Sequence, residues 1–169
     1  MPDAIFLIGP KGSGKSFIGK LLERELGIPF LRAEPLWLAV KQAGAASQEE
    51  YFARGMDAVT AAAQELAGRS AAFSLETTGA FDDIAAFIDR FRPFSRPRLV
   101  QVRAGAAVCL QRVRSRDQSE HINVSDALVD EVNRRALAVQ LPFELVIEND
   151  PFADPDWIVA AIRDLLNRE

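Results

Sequence analysis

Eight consecutive residues near the amino terminus constrain this chain more than any other feature: Gly9-Pro10-Lys11-Gly12-Ser13-Gly14-Lys15-Ser16 fits G-x-x-x-x-G-K-[ST] at every fixed position. Before them stands Ala4 to Ile8, a short unbroken apolar run of the kind that forms a strand covered on both faces. After them Phe17, Ile18, Leu21, Leu22 and Leu26 recur at helical spacing until Gly27 and Pro29 stop the helix. Strand, glycine-rich turn and helix therefore come in the order that makes a phosphate cradle. Glycines let the main chain curl until successive amide hydrogens point inward, and the helix N-terminus adds partial positive charge. The pattern implies that Gly9 to Phe17 hold the polyphosphate of a nucleoside triphosphate such as ATP, with Lys15 on the β and γ phosphates and the Ser16 hydroxyl on Mg²⁺.

Downstream, strand and helix signals alternate. The second strand is expected at Ile28 to Leu31, with Glu34 just beyond its carboxyl end. Two helices are predicted between Pro35 and Gly68, the second opened by Ser47 with Glu50 three residues on, so that residues 35–70 form a helical insert. Ala71 to Leu75 reads as the third strand, ending at Glu76-Thr77-Thr78-Gly79, and a helix follows over Asp82 to Phe91. Pro93 and Pro97 punctuate a loop before a fourth strand, Arg98 to Val102, and a helix over Ala106 to Val113. A polar stretch over about 115–125 has the character of a flap; a helix capped by Ser125 then runs from Asp126 to Val139. Phe143 to Ile147 is the fifth strand, followed by an Asn149-Asp150-Pro151 turn and a last helix from Pro155 to Leu166. This alternation predicts one α/β domain over residues 1–169, a parallel sheet with helices on both faces in three layers.

Composition narrows the partners. The net charge of −4 supplies no general basic field, which argues against a nucleic-acid partner. No apolar run approaches the roughly 20 residues that span a bilayer, and no export leader precedes the glycine-rich turn, so no membrane role is expected. Cys109 is the single cysteine and His121 the single histidine, which excludes an internal disulfide and a His/Cys zinc cluster and suits a reducing cytoplasm.

The order of these elements resembles that of the small P-loop kinases, the shikimate kinase-like and nucleoside monophosphate kinase-like group of the P-loop NTPase superfamily, over nearly the whole chain. The resemblance implies a central five-stranded parallel sheet in the order 2-3-1-4-5, a substrate-binding insert, an arginine-bearing lid and a base-contacting loop after the last strand. It makes Glu34 a candidate for orienting or deprotonating the acceptor, the alternative being a solvated acid at a helix start. Glu76 becomes a second Mg²⁺ candidate, and Arg32, Arg54, Thr77, Thr78 and Gly79 become acceptor contacts. In the lid, Arg112 is placed on the nucleotide base and Arg116 on the transferred phosphate; Asn149 and Asp150 are placed against the base, which their main chain would read. Two departures bear on the acceptor. Shikimate kinases carry Asp-x-Asp two residues after a phenylalanine at the second strand, where this chain has Phe30-Leu31-Arg32-Ala33-Glu34, and a glycine triplet where it has Thr77-Thr78-Gly79. The expected activity is thus transfer of the γ-phosphoryl group of ATP to a hydroxyl or phosphate of a small metabolite other than shikimate, by a monomer or weak homodimer. A nucleoside or nucleotide kinase and an ATPase switch without a small acceptor are the competing readings.

Overall fold

The computed structural model describes residues 1–115 and 125–168. Its centre is strand β1 (Asp3–Ile8), all six residues of which are buried. β1 pairs in parallel with β3 (Ala72–Thr77) on one side and β4 (Arg96–Arg103) on the other. β2 (Phe30–Leu31) lies outside β3 and β5 (Leu145–Glu148) outside β4, giving the order β2-β3-β1-β4-β5 among the described residues.

Successive side chains of β1 point to opposite faces, so the apolar run supplies two cores at once. Ile5 and Leu7 pack with Ile18 and Leu22 of α1 (Lys15–Leu26) and with Ile158 and Ile162 of α7 (Pro155–Leu166). Phe6 and Ile8 face α3 (Gln48–Ala67) and α4 (Ile84–Asp89), which contribute Val59, Ala63 and Phe87. Phe6 meets Phe91 edge-on at 4.9 Å. The remaining helices are α2 (Ala33–Ala43), α5 (Ala106–Ser115) and α6 (Asp126–Leu137). The three-layer α/β arrangement and the strand order are those expected.

Several boundaries differ, some through strand pairing and some through local hydrogen bonds. Pro97 lies inside β4 rather than in a loop. The Arg96 N–H donates to Pro2 O at 2.8 Å, toward β1, so position 97 turns its missing N–H the other way, where β5 has not yet begun: the β4–β5 ladder starts at Val100. Ile28 is not in β2, because its N–H donates to Leu22 O at 3.3 Å and so helps close the glycine-terminated end of α1. β3 runs on through Thr77 because β1 pairs with it to that point. β5 begins at Leu145 rather than Phe143, whose N–H instead donates to Leu141 O at 2.8 Å. α4 is shorter than expected, with Asp83 accepting from Ala86 N–H as its cap, and α6 ends at Leu137 rather than Val139.

Candidate active site

The loop leaves the sheet at the carboxyl end of β1, where Gly9 N–H donates to Thr77 O at 3.2 Å. It then curls through Gly12 (φ 85°) and Gly14 (φ 102°). A Cβ at Gly12 would stand 2.2 Å from Cys109 O, and one at Gly14 2.2 Å from Asn149 Nδ2, so conformation and close approach both demand glycine. Gly14 caps α1 without any side-chain acceptor, which leaves the first amides of α1 for an anion. Lys15 is buried, and its ammonium donates to Gly9 O at 2.9 Å and Pro10 O at 2.8 Å across the loop it belongs to. The Ser13 hydroxyl is buried and makes no hydrogen bond to the described residues.

One contact joins the loop to the neighbouring strand. Ser16 Oγ donates to Glu76 Oε2 at 2.7 Å, bringing a hydroxyl and a carboxylate together from positions sixty residues apart. Both are hard oxygen donors, the chemistry that suits Mg²⁺. Glu34 lies in the first turn of α2, half-buried. Leu31 pairs with Leu75, so Glu76, near the carboxyl end of β3, and Glu34, three residues past β2, lie toward the same end of the sheet.

Other expected contacts take different partners. The Arg112 guanidinium donates to Gly12 O at 3.3 Å and Asn149 O at 2.9 Å, and it lies 4.0 Å from the centroid of the exposed Phe152 ring. It bridges the loop and the turn after β5, with an aromatic ring against one face. The Asn149 side chain is fully buried, donating to Ser13 O at 2.7 Å and accepting from Ala153 N–H at 2.9 Å. Asp150 accepts from Gly105 N–H at 3.2 Å. Arg54 turns to the connection between α2 and α3, donating to Gly44 O and pairing with Glu50 at 3.5 Å, because its nearest acceptors are on its own hairpin. Thr77 and Thr78 accept from Gly79 N–H and Ala80 N–H at 3.1 and 3.3 Å, which shapes the turn at Gly79 (φ 68°). Arg32 is half-buried at the start of α2. Arg116 and His121, with most of the expected lid, lie outside the described residues; at the margins of that segment Arg114 of α5 pairs with Asp126 of α6.

An open pocket of about 280 Å³ lies between the Gly79 turn and α6, bordered by Gly79, Phe81, Ile84, Arg134, Arg135 and Val139. Arg135 donates to Asp82 at 2.7 Å and Arg134 to Glu131 at 2.8 Å. Sequence reasoning passed over both arginines and Phe152, and it missed Asn133 of α6, whose carboxamide bonds the main chain of Lys11. A signal for Asn133 was present: it shares a buried stripe with Val129 and Ala136. Cys109, packed beneath the loop, has its thiol pushed up by burial against the opposing pull of Lys15 and Arg112, so it stays protonated and serves as packing.

A family model described as an AAA domain matches residues 5–139. The shikimate kinase of Moorella thermoacetica is 47% identical over 57 residues, which are 31% of this chain and 33% of that protein. The chain thus matches about a third of the length of this curated relative. Among solved structures, a sugar kinase from a Janibacter species superposes with a TM-score of 0.70 at 14% identity, over 99% of this chain and 95% of that one. The shikimate kinase of Acinetobacter baumannii, solved with shikimate, gives 0.65 at 21% identity, over 98% and 93%. At these identities the likeness is one of fold.

Proposed function

The chain belongs to the AAA domain family, and from that premise we propose that it is a phosphotransferase moving the γ-phosphoryl group of ATP, with Mg²⁺, to a hydroxyl or phosphate of a small metabolite. The observation that carries this reading is the Ser16–Glu76 hydrogen bond of 2.7 Å, which sets two hard oxygen donors at the start of the helix that also carries the buried Lys15. A glycine cradle, the amide terminus of α1 and a cation held by main-chain carbonyls suit a polyphosphate; Ser16 and Glu76 would hold the metal. When bound, Mg²⁺ supplies charge neutralisation on the phosphate oxygens.

The chain's own groups do the rest. Phosphate oxygens replace the Gly9 and Pro10 carbonyls as partners of Lys15, which then stabilises charge developing between the β and γ positions. Glu34, in the first turn of α2 toward the same end of the sheet as Glu76, orients the acceptor and takes its proton. Arg112 borders the base, and Arg116 brings a cation to the transferred phosphoryl group. The acceptor occupies the pocket between the Gly79 turn and α6. Arg134 and Arg135 border it, and an acceptor carboxylate or phosphate would exchange with the exposed carboxylates of Glu131 and Asp82 that pair with them here, with Arg32 as a further contact. A buried free thiol at Cys109 supports a reducing compartment such as the cytoplasm. Among the described residues no helix is long and apolar enough to cross a membrane.

The test is a coupled ADP-release screen over hydroxy acids, sugars, nucleosides and nucleotides, with Lys15→Ala alongside. Release stimulated by one acceptor class and lost in the variant is the expected result. Stimulation by a protein and by no small molecule favours the ATPase switch instead.

A further inference from the structure

Three consecutive carbonyls of the loop are each held from outside by a side chain on a different part of the fold. Asn133 Nδ2 donates to Lys11 O at 3.1 Å, Arg112 Nη1 to Gly12 O at 3.3 Å, and Asn149 Nδ2 to Ser13 O at 2.7 Å. The C=O and N–H of one planar peptide unit point in opposite directions, so pinning Lys11 O and Ser13 O outward turns the Gly12 and Gly14 amides the other way, while the Ser13 N–H closes the turn onto Pro10 O at 3.2 Å. Arg112 and Asn149 belong to the seam beside β5, where they also touch each other through Asn149 O.

Asn133 differs. It comes from the middle of α6, and besides donating to Lys11 O it accepts from Lys11 N–H at 2.7 Å, so it grips both main-chain groups of one residue. Its side chain is on the buried stripe of α6, and the residue is 4% exposed. A carboxamide in such a place is costly unless its hydrogen bonds are made, and here the loop makes them. The next two residues, Arg134 and Arg135, border the pocket at Gly79.

We propose that Asn133 is a positioning residue that holds the phosphate loop in its nucleotide-ready shape and ties α6, with the arginines of the pocket, to that loop. This rests on the nucleotide-binding reading above. An untied loop visits the competent shape for only part of the time, and apparent affinity falls by that fraction.

The test uses the full chain and two variants. Asn133→Leu keeps the side-chain volume and removes both hydrogen bonds; Asn133→Asp keeps the acceptor for Lys11 N–H but sets a carboxylate oxygen against Lys11 O. Calorimetry with MgADP and MgATP, well below the unfolding transition, should show both dissociation constants raised about tenfold in Asn133→Leu. Hydrogen exchange at the Lys11 amide should accelerate in that variant and stay slow in Asn133→Asp, whose nucleotide affinity nonetheless falls. A merely structural role would lower the melting temperature and leave affinity within about twofold, and that result overturns the proposal. If Asn133→Leu does not fold, Asn133→Asp decides by the same criterion. Wild-type protein that binds neither nucleotide overturns the nucleotide reading and the positioning role together, whereas normal wild-type binding with unchanged variants overturns the positioning role alone.

Discussion

The two ends of the sheet bury cations in opposite ways. At the amino end Arg98 is 5% exposed and closed in by its partners: Nε donates to Asp3 at 2.9 Å, Nη1 to Glu144 at 2.8 Å and Nη2 to the Arg168 carbonyl. Arg96 takes Asp3 from the other side at 2.7 Å. At the carboxyl end Lys15, 6% exposed, rests on main-chain carbonyls of its own loop, and Ser16 and Glu76 hold each other. Carboxylates that neutralise a guanidinium leave little for a ligand to replace. Carbonyls carry no net charge, so phosphate oxygens can displace them. The first arrangement fastens the chain, joining β1, β4, the approach to β5 and the end of α7; the second sets an ammonium against carbonyls that phosphate oxygens can replace.

The same substitution at both ends tests this contrast. Lys15→Met should reduce the maximal rate of phosphoryl transfer roughly 10²- to 10³-fold. It should not lower the urea midpoint, because removing a buried ammonium also removes its desolvation penalty. Arg98→Met should leave MgATP affinity within about twofold, yet cost about 3 kcal/mol of unfolding free energy by leaving Asp3 and Glu144 without their shared partner. Reduced stability in Lys15→Met, or weakened nucleotide binding in a folded Arg98→Met, would break the division between the two ends.

How far the sequence revealed these regions follows from the reach of the interactions involved. The loop was legible because strand, glycines, lysine and helix are contiguous, and the layers because apolar periodicity is local. The braces of the loop were not. Lys11 meets Asn133 across 122 residues and Ser13 meets Asn149 across 136, so no window of sequence contains both partners. For Asn149 the sequence points to a main-chain contact with the base and gives no sign that the side-chain amide supports the loop. Arg54 shows the converse: a helix-surface arginine has close acceptors on its own hairpin, and these take it before any distant ligand can. Pro97 reads as loop because the cost of its missing N–H depends on which strand lies alongside, whereas the bond that takes Ile28 out of β2 is local, to Leu22 at the end of α1.

The amino end also has a pH signature, the smallest of the expected effects. Burial pushes the Asp3 carboxyl up, but hydrogen bonds and charge from Arg96 and Arg98 outweigh it and hold the group below its usual value. A carboxyl lowered on folding contributes stability that is fully present above its unfolded pKa, about 3.9. That contribution is lost as the pH falls through the folded value, because the unfolded chain takes up the proton first. Unfolding free energy measured in urea should therefore decline for the wild type below about pH 4, and Asp3→Asn should show a shallower decline there. Asp126 and Glu131, lowered by Arg114 and Arg134, titrate in both proteins and cancel from the difference. Arg98→Met, with only Arg96 left against Asp3, should fall between the two. Parallel acid limbs for wild type and Asp3→Asn would mean that the carboxylate gains nothing from its arginines on folding, and the amino end would then owe its hold to packing alone.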